Sequence, residues 1–196
     1  MSLILASSSP FRKAILENLG IAFETASPDI NESRENGESP FNLALRLSQA
    51  KALEVAKSHS GLIIASDQVA TLGNGNNAQD EIFTKPGSHE NTFLQLKRSS
   101  GKTITFLTAL TLLNTETSKI QTHVELFKVT FKQLSDNQIL SYLNKEDVLN
   151  CAGSIKSEGL GAALINRMES NDPYSLIGLA TIQLAKMLAK ENFHIL

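Results

Sequence analysis

The chain has 196 residues, enough to bury a core as one domain or as two close lobes. A net charge of −2 excludes a broad nucleic-acid surface, which needs an excess of Lys and Arg, and the single cysteine, Cys151, excludes an internal disulfide and a multi-cysteine zinc site. With 41% apolar and 19% charged residues and no apolar run of membrane-spanning length, the composition is that of a globular, water-facing protein, with the cytoplasm as the expected compartment.

Leu3–Ala6 reads as a buried strand, followed at once by Ser7-Ser8-Ser9 and a helix over Ser9–Leu19. Pro10 at the first helical position and Gly20 past the end mark its limits. Ala22–Ala26 is a candidate second strand, and the acidic stretch from Pro28 to Glu38 reads as a loop. Ser39-Pro40 repeats the cap-and-proline signal and opens a helix to about Lys57. Leu62–Ala65 is a short apolar strand, expected to end at Ser66-Asp67-Gln68. A Gly/Asn-rich loop covers Gly73 to Glu81, and Thr84–Gly87 is a turn. Ser88 caps a helix to Arg98.

Lys102–Asn114 and Ile120–Leu134 then form an expected hairpin, with Phe127, Val129 and Phe131 alternating with polar residues. Ser135 caps a helix to about Leu143. A glycine-dotted segment spans Cys151–Gly161, Asp172-Pro173 marks a loop, and Gly178–Lys190 reads as the closing helix. This order implies a mixed-sheet α/β fold with one waist.

A strand that ends in hydroxyls and turns into a helix suits an anion. Ser7 and Ser8 offer donors, and Arg12 in the first turn adds a forked charge. The glycines of a Walker loop or of a dinucleotide fingerprint are absent. The same pattern also fits a capped helix with no ligand. Asp67 follows an apolar strand, where α/β crevices form. There it could bind a divalent cation, activate water, or sit as a solvated turn acid. Lys51 lies beside the apolar stripe of its helix and either snorkels to water or reaches a buried anion. Lys85 stands on a turn before Pro86, as a surface lysine or a phosphate ligand. Glu32, in the acidic loop, is a possible metal partner for Asp67 or simply part of a solvated loop.

Taken together, LILASSSPFRKAILENLG, PDINES with Glu32, Lys51, IIASDQV around Asp67, TKP at Thr84–Pro86, CAGSIKSEG and YSLIGL resemble the Maf family of nucleoside triphosphate pyrophosphatases over almost the whole chain. The resemblance implies an elongated, partly mixed sheet with two lobes and a central nucleotide cleft, like that of inosine triphosphate pyrophosphatases. It implies hydrolysis between the α and β phosphates with a divalent cation, magnesium or manganese, and a homodimer. It makes Asp67 the proton acceptor, and places Ser8, Arg12, Glu32, Lys51 and Lys85 around phosphates and metal.

Phe11, Gln68 and Glu158 resemble the branch of the family that cleaves 7-methyl-GTP. An aromatic face suits the cationic 7-methylguanine, and a carboxylate suits its N1–H and exocyclic amine. By itself Phe11 also fits an ordinary core aromatic at a helix start. A dTTP or UTP pyrophosphatase and a non-catalytic nucleotide-binding regulator are the alternatives. Two departures from the family pattern stand out. The Gly73–Phe83 loop is longer, and Gly178-Leu179-Ala180 stands where the family has Gly-Leu-Pro; the lost proline is expected to relax the last helix start and to spare activity.

Overall fold

The computed structural model describes residues 2–196. Its seven-stranded sheet runs β2 (Glu24–Ala26), β1 (Leu3–Ala6), β3 (Leu62–Leu72), β5 (Thr103–Asn114), β6 (Lys119–Phe131) and β7 (Ile165–Glu169), with β4 (Glu81–Phe83) on β3 as well. The β2–β1 and β1–β3 pairs are parallel and the other four pairings antiparallel, so the sheet is mixed, as expected. The helices are α1 (Pro10–Asn18), α2 (Pro40–Ala56), α3 (His89–Ser99), α4 (Asp136–Leu143) and α5 (Thr181–Ala189).

Four of the five helices start where a serine hydroxyl can take a first-turn N–H. Ser9, Ser39, Ser88 and Ser135 accept from Arg12, Asn42, Asn91 and Gln138. The fifth, α5, begins three residues later than expected, at Thr181, because Gly178 ends the Pro173–Ile177 turn at φ +121°, outside helical geometry; Ala180, just before the helix, has no capping group. Asp172 supplies the cap from a distance, its Oδ2 accepting the Ile182 N–H at 2.6 Å.

One expectation is corrected here. Asp67 does not follow the end of a strand; β3 continues through it to Leu72. The reason is β5, which pairs with β3 without a break from Leu62 to Thr71. The other edge of β3 is different. There β1 pairs with Leu62–Ile64 and β4 with Ala70–Leu72, leaving residues 65–69 without a strand partner on that edge. Asp67 therefore lies inside a strand yet beside an open gap in the sheet.

Both faces of the sheet turn polar at that level. On the α2 face, Ile63 and Ala65 pack with Ala52 and Val55, while Val69 packs with Leu43 and Leu47. Between these clusters lie Asp67, Lys51 and a Ser48–Thr111 hydroxyl pair at 2.9 Å. On the other face, one cluster holds Leu62, Ile64 and Leu110 under α1 and α5, and another holds Ala70, Ile104 and Phe106 with residues of α3 and α4. Ser66, Gln68 and Thr108 separate them, each donating to the turn at Ser175–Gly178. No fully buried side-chain nitrogen or oxygen among the described residues lacks a partner.

Candidate functional site

The gap between β1 and β4 opens into a cleft of about 790 Å³, within the range of small-molecule sites. Its lining includes Ser7–Arg12, then Lys51, Asp67 and Gln68, and Ile155–Glu158. Sequence-distant elements meet here because β1 stops at Ala6 and β4 begins only at Glu81.

Lys51 is the centre of the charge arrangement. Its ammonium donates to Asp67 Oδ1 at 2.6 Å and pairs with Glu32 Oε1 at 2.7 Å. Lys51 and Asp67 are buried, whereas the Glu32 side chain is largely exposed. Lys51 thus reaches an anion and does not snorkel to solvent. Asp67 Oδ2 has no hydrogen-bond donor among the described residues. Partial desolvation opposes ionisation of Glu32, but the hydrogen bond and charge of Lys51, with Lys85 and Arg12 behind it, hold its carboxyl below the ordinary glutamate range.

Arg12 is fixed on two sides. Its Nε donates to the Gly178 carbonyl at 2.8 Å and its Nη1 to Ser7 Oγ at 3.3 Å. Desolvation lowers the Arg12 pKa, opposed by the charges of Asp67 and Glu32. Ser7 Oγ also accepts the Ser9 N–H at 3.1 Å, which tightens the turn between β1 and α1. Ser8 and Lys85 line the cleft, exposed, and Lys85 has no ion-pair partner among the described residues.

The three residues expected to recognise a base line the same cleft. Phe11 is half-buried on α1. Glu158 is exposed on a turn, with Ser157 Oγ 3.4 Å away. Gln68 is placed differently from a free base ligand. Its amide nitrogen is committed to Thr108 Oγ1 and to the carbonyls of Ser175 and Leu176 at 2.8–3.0 Å. Only its carbonyl oxygen is left for other partners.

All the sequence-derived candidates therefore converge. Sequence reasoning missed the Gly178 carbonyl, which accepts from both Arg12 and Ser66. A backbone acceptor leaves no side-chain signal, although its glycine, at φ +121°, was a hint. It also missed Asp147 and Asn150, which line the cleft from a loop without a motif.

No cluster of three or more His, Cys, Asp or Glu able to hold a metal occurs among the described residues. Glu32 and Asp67, joined through one ammonium, are a two-carboxylate set. That set fits magnesium, which commonly takes one or two carboxylates and completes its shell with waters and substrate phosphates.

Among solved structures, the chain is similar to a dITP/XTP pyrophosphatase from Mycobacterium abscessus, at 20% identity and a TM-score of 0.42, over 68% of this chain and 76% of the other. It is also similar to the Ham1 protein of Staphylococcus aureus, at 14% identity and a TM-score of 0.44, over 68% and 73%. Neither likeness bears on the site. A far nearer relative is a 7-methyl-GTP pyrophosphatase of Pseudoalteromonas atlantica, 50% identical over 190 residues, spanning 97% of this chain and 95% of the relative. The family model described as Maf-like protein matches residues 2–191, and the chain belongs to that family.

Proposed function

We propose that this chain is a nucleoside triphosphate pyrophosphatase that hydrolyses 7-methyl-GTP to 7-methyl-GMP and diphosphate. The observation that carries this reading is the meeting of Asp67 and Glu32 at Lys51 in the sheet gap, with Arg12 and Lys85 beside them. The 50% identity to a protein of that name supports the substrate. On this reading residues 1–196 are one domain, acting in the cytoplasm as a homodimer.

In the proposed reaction, Arg12, Lys85 and the Ser7–Ser8 turn hold the triphosphate, and Lys51 keeps Asp67 oriented through Oδ1. Oδ2 accepts a proton from water, whose oxygen attacks the α-phosphorus. The bond from that phosphorus to the α–β bridging oxygen breaks, and diphosphate leaves with the electron pair. A divalent cation, held by Glu32 and Asp67, would supply charge neutralisation at the phosphates. The contribution of the chain is mainly positioning and charge. Phe11 stacks on the cationic purine and Glu158 accepts from its N1–H and amine.

The test is diphosphate release from 7-methyl-GTP, GTP, dTTP, UTP and CTP, with and without magnesium or manganese. The 7-methyl-GTP rate should be highest, and Asp67→Asn should lower it by at least about 10²-fold with an unchanged circular dichroism spectrum. Faster turnover of the pyrimidines would overturn the base assignment, binding without turnover would favour a regulator, and a fully active Asp67→Asn would remove the proton acceptor.

A further inference from the structure

Glu146 lies just past α4, outside the lining of the cleft, yet it grips the turn that carries Glu158. Its Oε1 accepts from Lys156 Nζ at 3.1 Å and its Oε2 accepts the Leu160 N–H at 3.0 Å. These two contacts sit symmetrically, two residues before and two residues after Glu158. Tyr142 adds a third fastening, its hydroxyl oxygen accepting the Lys156 N–H at 3.0 Å. Gly159 lets the carboxylate come this close, since a Cβ there would collide with Glu146 Oε2. The φ of Gly159 is −120°, so the demand for glycine is steric and not one of backbone handedness.

The same contact controls a cation. Lys156 lines the cleft two residues from Glu158, and its ammonium is held by Glu146. Without that partner, Lys156 is free to pair with Glu158 and to neutralise the group that would meet the base.

We infer that Glu146 is a positioning residue for base selection: it fixes the Lys156–Leu160 turn and keeps Lys156 off Glu158, so that the Glu158 carboxylate stays available to the purine. The inference rests on the proposed 7-methyl-GTP reading. Glu146 touches neither the cleft nor Asp67, Lys51 or Arg12, so its loss should act on substrate binding and leave the chemical step alone.

The experiment is steady-state kinetics on Glu146→Ala, Gly159→Ala, the double variant and Glu158→Gln, with 7-methyl-GTP, GTP and dTTP, alongside thermal melting. Glu146→Ala should raise KM for 7-methyl-GTP about tenfold and narrow its preference over dTTP, with kcat within about twofold of wild type. Gly159→Ala should do the same by forcing the carboxylate away, and should add little on top of Glu146→Ala, where the collision is gone. An unchanged KM in both single variants overturns the inference. So does an equal loss on all three nucleotides, or a fall in kcat that tracks the melting temperature. If Glu158→Gln shifts the preference and the other two variants do not, only the positioning role fails. If Glu158→Gln itself leaves the preference intact, the base reading falls and this inference falls with it.

Discussion

Arg12 Nε donates to the carbonyl of Gly178 at 2.8 Å, tying residues 166 apart in sequence across one end of the cleft. The Nη2 of the same guanidinium has no partner among the described residues, so the side chain is anchored through Nε and Nη1 while Nη2 stays available. Gly178 holds this geometry at φ +121°, and a Cβ there would meet Arg12 Nε at 3.4 Å. The first expected outcome follows from that contact. Gly178→Ala should lower stability by about 1–3 kcal/mol, from backbone strain, and reduce diphosphate release by shifting Arg12. Urea unfolding together with turnover checks both; a variant that keeps wild-type stability would show that the strain is absent.

Lys51 is the only counter-charge in contact with the buried Asp67 among the described residues. Lys51→Met should destabilise the fold by about 3–5 kcal/mol, because it leaves that carboxylate buried and unpaired. Adding Asp67→Asn should recover much of the loss, since a neutral amide carries a far smaller desolvation penalty. Chemical denaturation of the two single variants and the double closes the cycle. Simple addition of the two losses would contradict the coupling.

Glu32 has its carboxyl held below the ordinary value of 4.5: partial desolvation pushes it up, but Lys51, Lys85 and Arg12 pull it down further. A carboxyl with a depressed folded-state pKa adds stability above its unfolded value, and that stability is lost as pH falls through the folded value. The stability difference between wild type and Glu32→Gln should therefore be flat from neutral pH down to about pH 5 and shrink in more acidic solution. Urea midpoints of both proteins across that range measure it. A difference that grows on acidification would reverse the assigned direction.

Phe11→Leu keeps an apolar side chain but removes the aromatic face. Cation–π contacts are worth about 0.5–2 kcal/mol, so the preference for 7-methyl-GTP over GTP should fall by roughly 2- to 30-fold. Competition kinetics with the two purines reads this directly. An unchanged ratio would mean that the ring packs against protein and never meets the base.

Much of the local structure was legible along the chain. The Ser-Pro pairs at 9–10 and 39–40 and the serines at 88 and 135 begin helices as their hydroxyl chemistry demands. The alternation of Phe127, Val129 and Phe131 belongs to a long strand paired with β5. Ser66-Asp67-Gln68 misled for a physical reason. Three polar residues after an apolar run look like a strand end, yet β5 bonds their backbone on one edge, and their side chains find polar partners on the two faces of the sheet, Ser66 and Gln68 at the Ser175–Gly178 turn and Asp67 at Lys51. Short β4 carried no signal of its own, and its position is set by pairing with β3. The Gly73–Phe83 segment was legible as a Gly/Asn-rich loop and as an insertion, but its contacts were not. In three dimensions its Ala78 carbonyl accepts from Arg34 at 2.9 Å, which ties it to the acidic loop bearing Glu32, and its Gly75 carbonyl accepts the Phe41 N–H at 2.9 Å at the start of α2.

What the sequence determined by itself was the chemistry available: which side chains are charged, which turns and caps are favoured, and which motifs resemble a family. Those properties depend on near neighbours along the chain, within reach of a helical turn or a strand pair. Only the tertiary structure decided that Lys51 joins Glu32 to Asp67, that Gln68 spends its amide on the turn before Gly178, and that Glu146 brackets Glu158. Each of these depends on where β1 stops and β4 starts, or on which backbone groups a distant loop brings near. Such contacts are set by the packing of whole elements, and no local pattern of residues encodes a distance between segments that meet only after folding.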